Sequence, residues 1–396
     1  MKRVKEENVP QIRLRGDHVV GLSVDLPIDL ITDILLKLPS KSLAKFIVLS
    51  KHWFSEIRSK RFLDLYMKQS LTRPCILFTF HHDSIRFFHL ASQSCQDDAS
   101  FYTCKSSFPL SLDRRIYQKT YDITPPVHGL ICVQDLDKVL VSNPVTGQFL
   151  VLPKVRARRR GISRYFGYDP VKDEYKVLCM TVLKLPGTVV SGDHQVFTLG
   201  REAQKKPNWR KIKCNLPHCP ATNGLCSDGV VYYGAWSNSD EEVSLIVGFN
   251  VGSEEFTLVK LPDGVEIDRS DSGLVNYKRK VALVSHSHLG TFDMWVLEDV
   301  VKQEWSMISV VVPSWKNLII RREKFSCRGV VSTGEFIFQP FSLDGPLCVI
   351  IYDREEDSAR RVEIEVEGLG VNLGAVSLFL YHVESYISLK EDYSFN

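Results

Sequence analysis

The stretch HGLICVQDLDKVLVSNPVTGQFLVLP, residues 128–153, alternates short apolar runs with turn-forming residues. Each apolar run has the length of a short β-strand. The pairs Asn143-Pro144 and Thr146-Gly147 separate the last two runs, and these residue types favour tight turns. The stretch therefore predicts three strands joined by tight turns.

The same arrangement recurs with a period of about 40–50 residues. In each unit an aromatic residue followed by Asn or Asp belongs to one strand of a hairpin, and the partner strand ends near a Leu-Pro or Val-Pro pair. Short strands repeated with this period are typical of the blades of a β-propeller. The units cover residues 128–153, 165–214, 223–262, 273–313 and 328–366.

Strand-like segments remain at 75–104 and at 375–389. An unclosed ring of blades would leave sheet edges exposed to aggregation. We therefore expect the two segments to pair as a further blade, which gives an all-β propeller of about six blades over residues 74–392. A β-sandwich is the structural alternative, and the repeated unit favours the propeller.

A helical pattern precedes the strands, in VDLPIDLITDILLKLPSKSLAKFIVLSKHWF, residues 24–54. Pro27 suits the first position of a helix. Pro39 ends that helix, because a residue before proline is disfavoured in the α conformation. Ser40 can cap a second helix. The spacing of apolar residues predicts three or four short helices within a domain of residues 23–70, after a flexible N-terminus of residues 1–22. The whole chain is thus predicted to be an α+β multidomain protein.

Two family resemblances rest on these patterns. The helical stretch resembles an F-box in Leu26, Pro27, Leu30, Ile34, Leu35, Leu38, Pro39, Ser42, Leu43, Val48, Ser50, Lys51 and Trp53. The rest of the chain, through its GLICV…NP…LP and FGYDPVKDEYKVL elements, resembles the kelch-like, propeller-type F-box-associated domains of plant F-box proteins.

The resemblance implies a substrate-receptor subunit of an SCF-type (Skp–cullin–F-box) ubiquitin ligase. Such a subunit links the ligase to a protein substrate for ubiquitination and degradation, and it has no catalytic residues, metal or cofactor of its own. It binds a Skp-type adaptor and, through the adaptor, a cullin. The implied adaptor-binding residues are Leu26, Pro27, Leu30, Ile34, Leu35, Leu38, Pro39, Leu43, Val48, Lys51 and Trp53. The substrate is not identified by the resemblance.

The helical stretch supports a partner on physical grounds as well. A unit of this size buries too little of its own surface to be robust alone. Its excess of apolar residues would be a liability if it stayed in water. The alternative is that the helices simply cover one side of the propeller.

The composition sets broader limits. The 396 residues carry a net charge of +3, which is too small to indicate a nucleic-acid-binding protein by itself. No run of 18 apolar residues predicts a membrane span, and the polar N-terminus lacks the apolar region of a secretory signal. The ten cysteines follow no disulfide framework. We expect a cytoplasmic or nuclear protein that contacts neither membrane nor nucleic acid.

Two other functions remain as alternatives. One is a β-propeller interaction scaffold outside any ligase. The other is a propeller enzyme such as a glycan hydrolase, which would need carboxylates on several innermost strands. The segments expected to be innermost are mostly apolar and aromatic and contain one acid, Glu335; they are GLICV, GVVYYG, VALVSHS and EFIFQP.

Two kinds of local pattern remain. Cys214, His218, Cys219 and Cys226 lie close in sequence, but prolines interrupt them and the matched pairs of a zinc site are absent, so we expect no metal there. The arginine-rich segment 154–164 and the polar segment 185–194 are candidate substrate-binding loops.

Overall fold

The computed structural model describes residues 27–82, 85–92, 102–104, 123–135, 138–155, 162–185, 188–200, 208–237, 243–268, 272–286, 290–320, 323–341, 347–364 and 376–389. The predicted N-terminal segment 1–22 lies outside these residues. Four helices open the described chain, in agreement with the predicted helical domain: α1 Ile28–Lys37, α2 Ser40–Leu49, α3 Lys51–Ile57 and α4 Lys60–Leu71.

The four helices share a small core of their own. Its fully buried members are Leu35, Leu43, Ile57, Phe62 and Tyr66. The hydroxyls of two serines outside the helices fix where α3 and α4 begin: that of Ser50 accepts from the Trp53 amide at 3.2 Å, and that of Ser59 from the Phe62 amide at 3.1 Å. None of the described helices is long and apolar enough to cross a bilayer.

Strands make up the remainder, with one further helical turn, α5 Trp315–Leu318. The strands are β1 Cys75–His82, β2 Ile85–Ser92, β3 Tyr102–Cys104, β4 Ile131–Asp135, β5 Lys138–Asn143, β6 Gln148–Val151, β7 Ile162–Asp169, β8 Glu174–Leu185, β9 Thr188–Leu199, β10 Arg210–Ile212, β11 His218–Pro220, β12 Leu225–Ser227, β13 Val230–Ser237, β14 Ser244–Asn250, β15 Phe256–Lys260, β16 Ser272–Tyr277, β17 Lys280–His286, β18 Thr291–Asp299, β19 Glu304–Val311, β20 Phe325–Val330, β21 Phe336–Pro340, β22 Cys348–Asp353, β23 Ser358–Glu363 and β24 Ser377–His382.

These strands form six antiparallel sheets, which are the six blades of a propeller. Five sheets follow the chain in order and correspond to the predicted units. The sixth has the order β24-β1-β2-β3, so the last strand pairs with the first and closes the ring. The predicted pairing of the two end segments is confirmed.

Six buried apolar clusters join the blades, one at each boundary around the ring. Phe292 and Phe338, for example, meet edge to face at 5.0 Å between the blades β16–β19 and β20–β23. Tyr165 and Tyr233 stack at 4.0 Å between the blades β7–β10 and β11–β15. The core therefore lies between blades, as ring closure requires.

The strands that line the central channel include β7, β16, β20 and β24, which contact neighbouring blades. We call the face where these strands begin the upper face, and the face where they end the lower face. None of the four segments expected to be innermost lies along the channel: GVVYYG, VALVSHS and EFIFQP lie in the second strands β13, β17 and β21, and GLICV lies in β4, which residues 123–127 separate from the channel. That prediction is wrong because strong apolarity marks strands covered on both faces, which are the second strands, rather than strands along the channel.

Five hairpins repeat one turn design. The side chain of an Asn or Asp at the end of a strand accepts backbone amides two or three residues ahead, as at Asp299, whose carboxylate accepts Val301 N at 2.8 Å and Lys302 N at 2.9 Å. The residue four positions ahead has a positive φ, which brings the chain into the returning strand. The five pairs are Asn143 and Gly147, Asp169 and Asp173, Asn250 and Glu254, Asp299 and Gln303, and Asp353 and Asp357.

Candidate functional site

An exposed apolar face lies on the first three helices. Leu30 and Ile34 are one helical turn apart on α1 and are 50% and 52% exposed. Val48 at the end of α2 is 82% exposed. We define the apolar face as Ile28, Leu30, Ile34, Val48, Leu49 and Phe54, all more than a third exposed.

The residues predicted to bind the adaptor fall into three groups. Leu26 lies outside the described residues. Leu35 and Leu43 are buried in the helical core, where they stabilise the helices. The others are exposed or partly exposed: Pro27, Leu30, Ile34, Leu38, Pro39, Val48, Lys51 and Trp53.

The helical domain is fastened to the propeller by the segment that follows β24. Glu384 is 9% exposed, and its carboxylate accepts the Ser40 amide at 3.1 and 3.2 Å and the Tyr66 hydroxyl at 3.2 Å. The Ser40 hydroxyl also donates to it. Burial, and then the neighbouring carboxylate, raise the pKa of the Tyr66 phenol, so Tyr66 remains a donor.

The same segment, residues 383–389, also lies along the propeller. The amide nitrogen of the Asn143 side chain donates to the carbonyls of Ser385 at 2.9 Å and Ile387 at 3.0 Å. The Tyr386 hydroxyl donates to the Ser40 carbonyl on the other side. One short segment thus bonds to both domains, which fixes their relative orientation.

Arg73 makes a second connection, between α1 and the start of β1. Its guanidinium donates to the carbonyls of Leu36 at 2.8 Å and Leu38 at 3.0 Å, near the end of α1. A cation at a helix C-terminus is favourable because it meets unpaired carbonyls and the negative end of the helix dipole. We refer to Arg73, Glu384 and Tyr386 with their partners Ser40 and Tyr66 as the junction.

Sequence reasoning missed the junction. From the sequence, the segment around Glu384 is predicted only as part of the strand that closes the ring. A lone acid among apolar residues, in SLFLYHVESYISL, was the one available signal, and nothing in it identified a partner 344 residues away.

The central channel forms a cavity of about 940 Å³. Arg164 of β7, Arg328 of β20 and Arg279 in the β16–β17 turn line it. Among its described lining residues the one carboxylate is Asp228, which follows β12. The described part of the channel wall therefore carries more positive than negative charge.

The cysteine and histidine pattern has a structural explanation. The two ring nitrogens of His218 lie 2.6 Å from the Leu216 carbonyl and 2.8 Å from the Tyr233 hydroxyl. No group of three or more metal-ligating side chains is found among the described residues.

Both candidate loops connect strands at the upper face. In 154–164, residues 156–161 lie outside the described part of the chain, and β6 ends and β7 begins at the upper face on either side of them. In 185–194, the long hairpin β8–β9 extends beyond Thr181, where its pairing with β7 stops. The helical domain, by contrast, meets the propeller at the lower face, where β1 begins and β24 ends.

Known protein families match the helical domain and the propeller separately. Residues 24–65 match the F-box domain, and residues 75–383 match the F-box associated beta propeller domain. An F-box/kelch-repeat protein of Arabidopsis thaliana is 38% identical over 383 residues, which cover 92% of this chain and 94% of that protein. The F-box protein DOR of the same plant is 32% identical over 379 residues, covering 91% and 92%. The similarity thus includes both the helices and the propeller.

Proposed function

This chain belongs to the F-box proteins that carry an F-box-associated β-propeller, and on that premise we propose that it is the substrate receptor of an SCF-type ubiquitin ligase. The helical domain docks on a Skp-type adaptor and, through it, on a cullin. The propeller holds a protein substrate for ubiquitination and degradation.

The apolar face is the observation that carries this proposal. The helical core is complete without it, since Leu35, Leu43 and Ile57 are already buried on the other side of the helices. Large aliphatic side chains in water contribute nothing to folding, and burial against a partner is worth about 1 kcal/mol for each half-exposed one. The face is therefore suited to an apolar adaptor surface.

The junction suits the same function. A receptor of this kind acts by proximity, holding a substrate lysine near the charged conjugating enzyme of the ligase. Proximity is effective only if the two binding surfaces keep a fixed distance and orientation. The hydrogen bonds of Glu384 and Tyr386 to Ser40 supply that rigidity.

The enzyme alternative receives less support. Glycan hydrolysis needs a pair of carboxylates facing the substrate. Asp228 is the single carboxylate among the described residues that line the channel. Glu335, the acid singled out from the sequence, pairs with Arg360 at 2.8 Å and is not among the described residues that line the channel.

The proposal is tested by co-purification of the full-length chain with a plant Skp-type adaptor. We expect Ile34→Asp, and separately the double change Leu26→Ala with Pro27→Ala, to abolish co-purification. Val301→Asp is the matched control, because Val301 is 91% exposed in a propeller turn. Adaptor binding that survives both helical-domain changes would refute the proposal, and a scaffold outside any ligase would bind no adaptor in any form.

A further inference from the structure

Arg328 occupies an irregular position in its strand. The pairing of β20 with β21 runs from Cys327 opposite Phe338 directly to Gly329 opposite Ile337, so Arg328 is the extra residue of a β-bulge. Gly329 has φ of +122°, which a residue with a side chain rarely adopts. Bulges in strands redirect a side chain, and they recur beside binding sites. This bulge directs an arginine to the wall of the central channel.

A neutral partner positions that arginine. The Nε of Arg328 donates to Gln339 Oε1 at 2.9 Å. Gln339 is itself held, because its amide nitrogen donates to the Val376 carbonyl at 2.6 Å and its oxygen accepts the Leu378 amide at 3.0 Å. Within the described part of the chain, Arg328 forms no ion pair with a carboxylate. Burial lowers the pKa of its guanidinium, since the cation has lost water without gaining an anion.

A buried hydroxyl lies two residues away. Ser326 is 3% exposed and lines the same cavity, and its Oγ has no hydrogen-bond partner among the described residues. Buried polar atoms are nearly always paired, because an unpaired one costs about 1–3 kcal/mol. A hydroxyl without a partner beside a cation without an anion indicates a place for a hydrogen-bond acceptor that carries negative charge.

A second arginine lies across the channel. Arg164 is the third residue of β7, in the blade opposite that of Arg328, and it lines the same cavity. Its Nη1 donates to another neutral partner, Gln134 Oε1, at 2.7 Å. The uncharged amide oxygen of a glutamine thus helps to position each of the two arginines. At the rim of the same cavity, Phe341 is 48% exposed.

We propose that the upper half of the channel is the anchor site for an acidic side chain of the substrate protein, held by Arg328, Arg164 and the Ser326 hydroxyl. This inference rests on the proposed function, which makes the propeller the substrate-holding domain. The helical domain meets the propeller at the lower face, so in this proposal the substrate approaches from the upper one. Carboxylate and phosphate oxygens share the required chemistry, so an aspartate, a glutamate or a phosphorylated serine fits the site.

Fluorescence polarisation with the full-length chain tests the site. The probes are three labelled peptides of identical Gly-Ser-rich sequence whose central residues are three glutamates, three glutamines or one phosphoserine. We expect the glutamate peptide, the phosphoserine peptide or both to bind, the glutamine peptide not to bind, and the affinity to fall as NaCl is raised. Tighter binding by one acidic peptide identifies carboxylate or phosphate as the preferred group.

Four variants locate the binding. Arg328→Gln and Arg164→Gln are each expected to weaken it about tenfold or more, because they remove a desolvated charge. Ser326→Ala removes an unpaired hydroxyl, so it is expected to weaken binding severalfold while leaving the melting temperature unchanged or higher. Arg279→Gln is the matched control, since Arg279 lines the lower end of the same cavity and its loss is expected to change affinity less than about twofold.

Several results would overturn the inference. They are failure of both acidic peptides to bind, equal binding of the glutamine peptide, or an Arg279→Gln effect as large as that of Arg328→Gln while Ser326→Ala has none. A single-stranded oligonucleotide that binds in place of the peptides would also overturn it. Adaptor co-purification, measured on the same samples, reports on the proposed function separately, because the junction and the apolar face lie at the other end of the molecule.

Discussion

The helical domain and the propeller use apolar residues in opposite ways. Seven of the large apolar side chains that are more than a third exposed lie in the short helical region, and ten are distributed over the much longer described part of the propeller. Those of the propeller are scattered: three lie in hairpin turns (Val171, Val300 and Val301), and four lie on the outermost strands β6, β15 and β19. Isolated exposed apolar residues are ordinary, whereas a concentration of them in three helices indicates a binding surface.

The difference follows from how each region obtains a core. Six blades arranged in a ring bury both faces of every sheet against neighbouring sheets, so the propeller forms a complete hydrophobic core from its own strands. Four short helices cannot surround one another in that way, and the side of α1 that carries Leu30 and Ile34 stays about half exposed among the described residues. The junction compensates in part, since Tyr66 contacts both the helical core and Glu384 of the propeller side.

The sharpest test of the comparison uses two adjacent residues of α1. Leu35 is 2% exposed and Ile34 is 52% exposed. Leu35→Ala is expected to destabilise the helical domain by about 2–5 kcal/mol, because it leaves a cavity, and Ile34→Ala by less than about 0.5 kcal/mol. Calorimetry of the full chain measures both. Similar losses from the two changes would mean that the helical domain lacks a separate core.

Adaptor affinity is expected to respond in the opposite sense. Ile34→Ala removes about 1 kcal/mol of burial at the interface, which corresponds to about fivefold weaker binding. Leu35→Ala, once folded, keeps the apolar face intact and is expected to retain adaptor affinity. Titration of each variant with the adaptor distinguishes the two roles.

A change at the junction tests whether the helical domain and the propeller are held together there. Gly129 has φ of +80°, and a Cβ there would lie 2.5 Å from Ser385 Cβ and 2.7 Å from the Val383 carbonyl oxygen. Gly129→Ala is therefore expected to cost about 2 kcal/mol or more and to release the segment 383–389. Hydrogen exchange in that segment, and in α2 beside it, is expected to increase.

Gly264→Ala is the matched control for that change. Gly264 has nearly the same φ, +78°, but no atom lies within 4 Å of its virtual Cβ. The Gly264→Ala variant is expected to lose about 1 kcal/mol of stability, because it adds backbone strain but no steric clash, and to leave the helical domain unaffected. Equal behaviour of the two variants would show that the segment is not tightly held.

The pH dependence separates the regions in another way. His382, at the end of β24, is fully buried, and burial lowers its pKa to about 3. An unfolded histidine has a pKa near 6.5, so below that value the unfolded state binds a proton that the folded state does not. The contribution of His382 to the free energy of unfolding is therefore fully present above about pH 6.5 and is lost as the pH falls toward 3. Between pH 7 and pH 5 the loss is about 2 kcal/mol.

Urea unfolding at pH 7 and pH 5, in wild type and His382→Leu, measures this loss. The variant is expected to lose about 2 kcal/mol less than wild type over the same interval, and its unfolding midpoint should become less dependent on pH. Burial also lowers the pKa of His194, to about 4, so part of the dependence is expected to remain. An unchanged slope in the variant would exclude His382 as a source.

The fold was largely predictable because its signals are local. Leu-Pro pairs set helix ends, and Asx turns followed by a positive φ set hairpins, each within about five residues. Ring closure was predictable because unpaired edges are unfavourable, although β24 and β1 are far apart in sequence. The repeat thus supplied the architecture without any long-range information.

The sites were less predictable because they depend on which side of an element faces a neighbour. Helical spacing places Ile34 and Leu35 in adjacent rows of α1, but it does not say which row turns inward. The radial order of strands failed similarly, since apolar content marks coverage and not distance from the channel. The bulge at Arg328 and the partners of Glu384 depend on pairing with distant residues, which a single sequence does not show.

The smallest expected effect concerns the turns, where the two regions behave alike. Asp299 accepts two backbone amides in the β18–β19 turn, as the Ser50 hydroxyl accepts one at the start of α3. Asp299→Ala leaves exposed amides that water can satisfy, so the expected loss is about 1 kcal/mol, close to that of a helix cap. Asp263→Ala removes a more exposed carboxylate that accepts no turn amide among the described residues, so it is expected to change stability by less than about 0.5 kcal/mol. Urea unfolding of the two variants measures the difference. Equal losses would mean that the recurring Asx turn reverses the chain without adding stability to the blades.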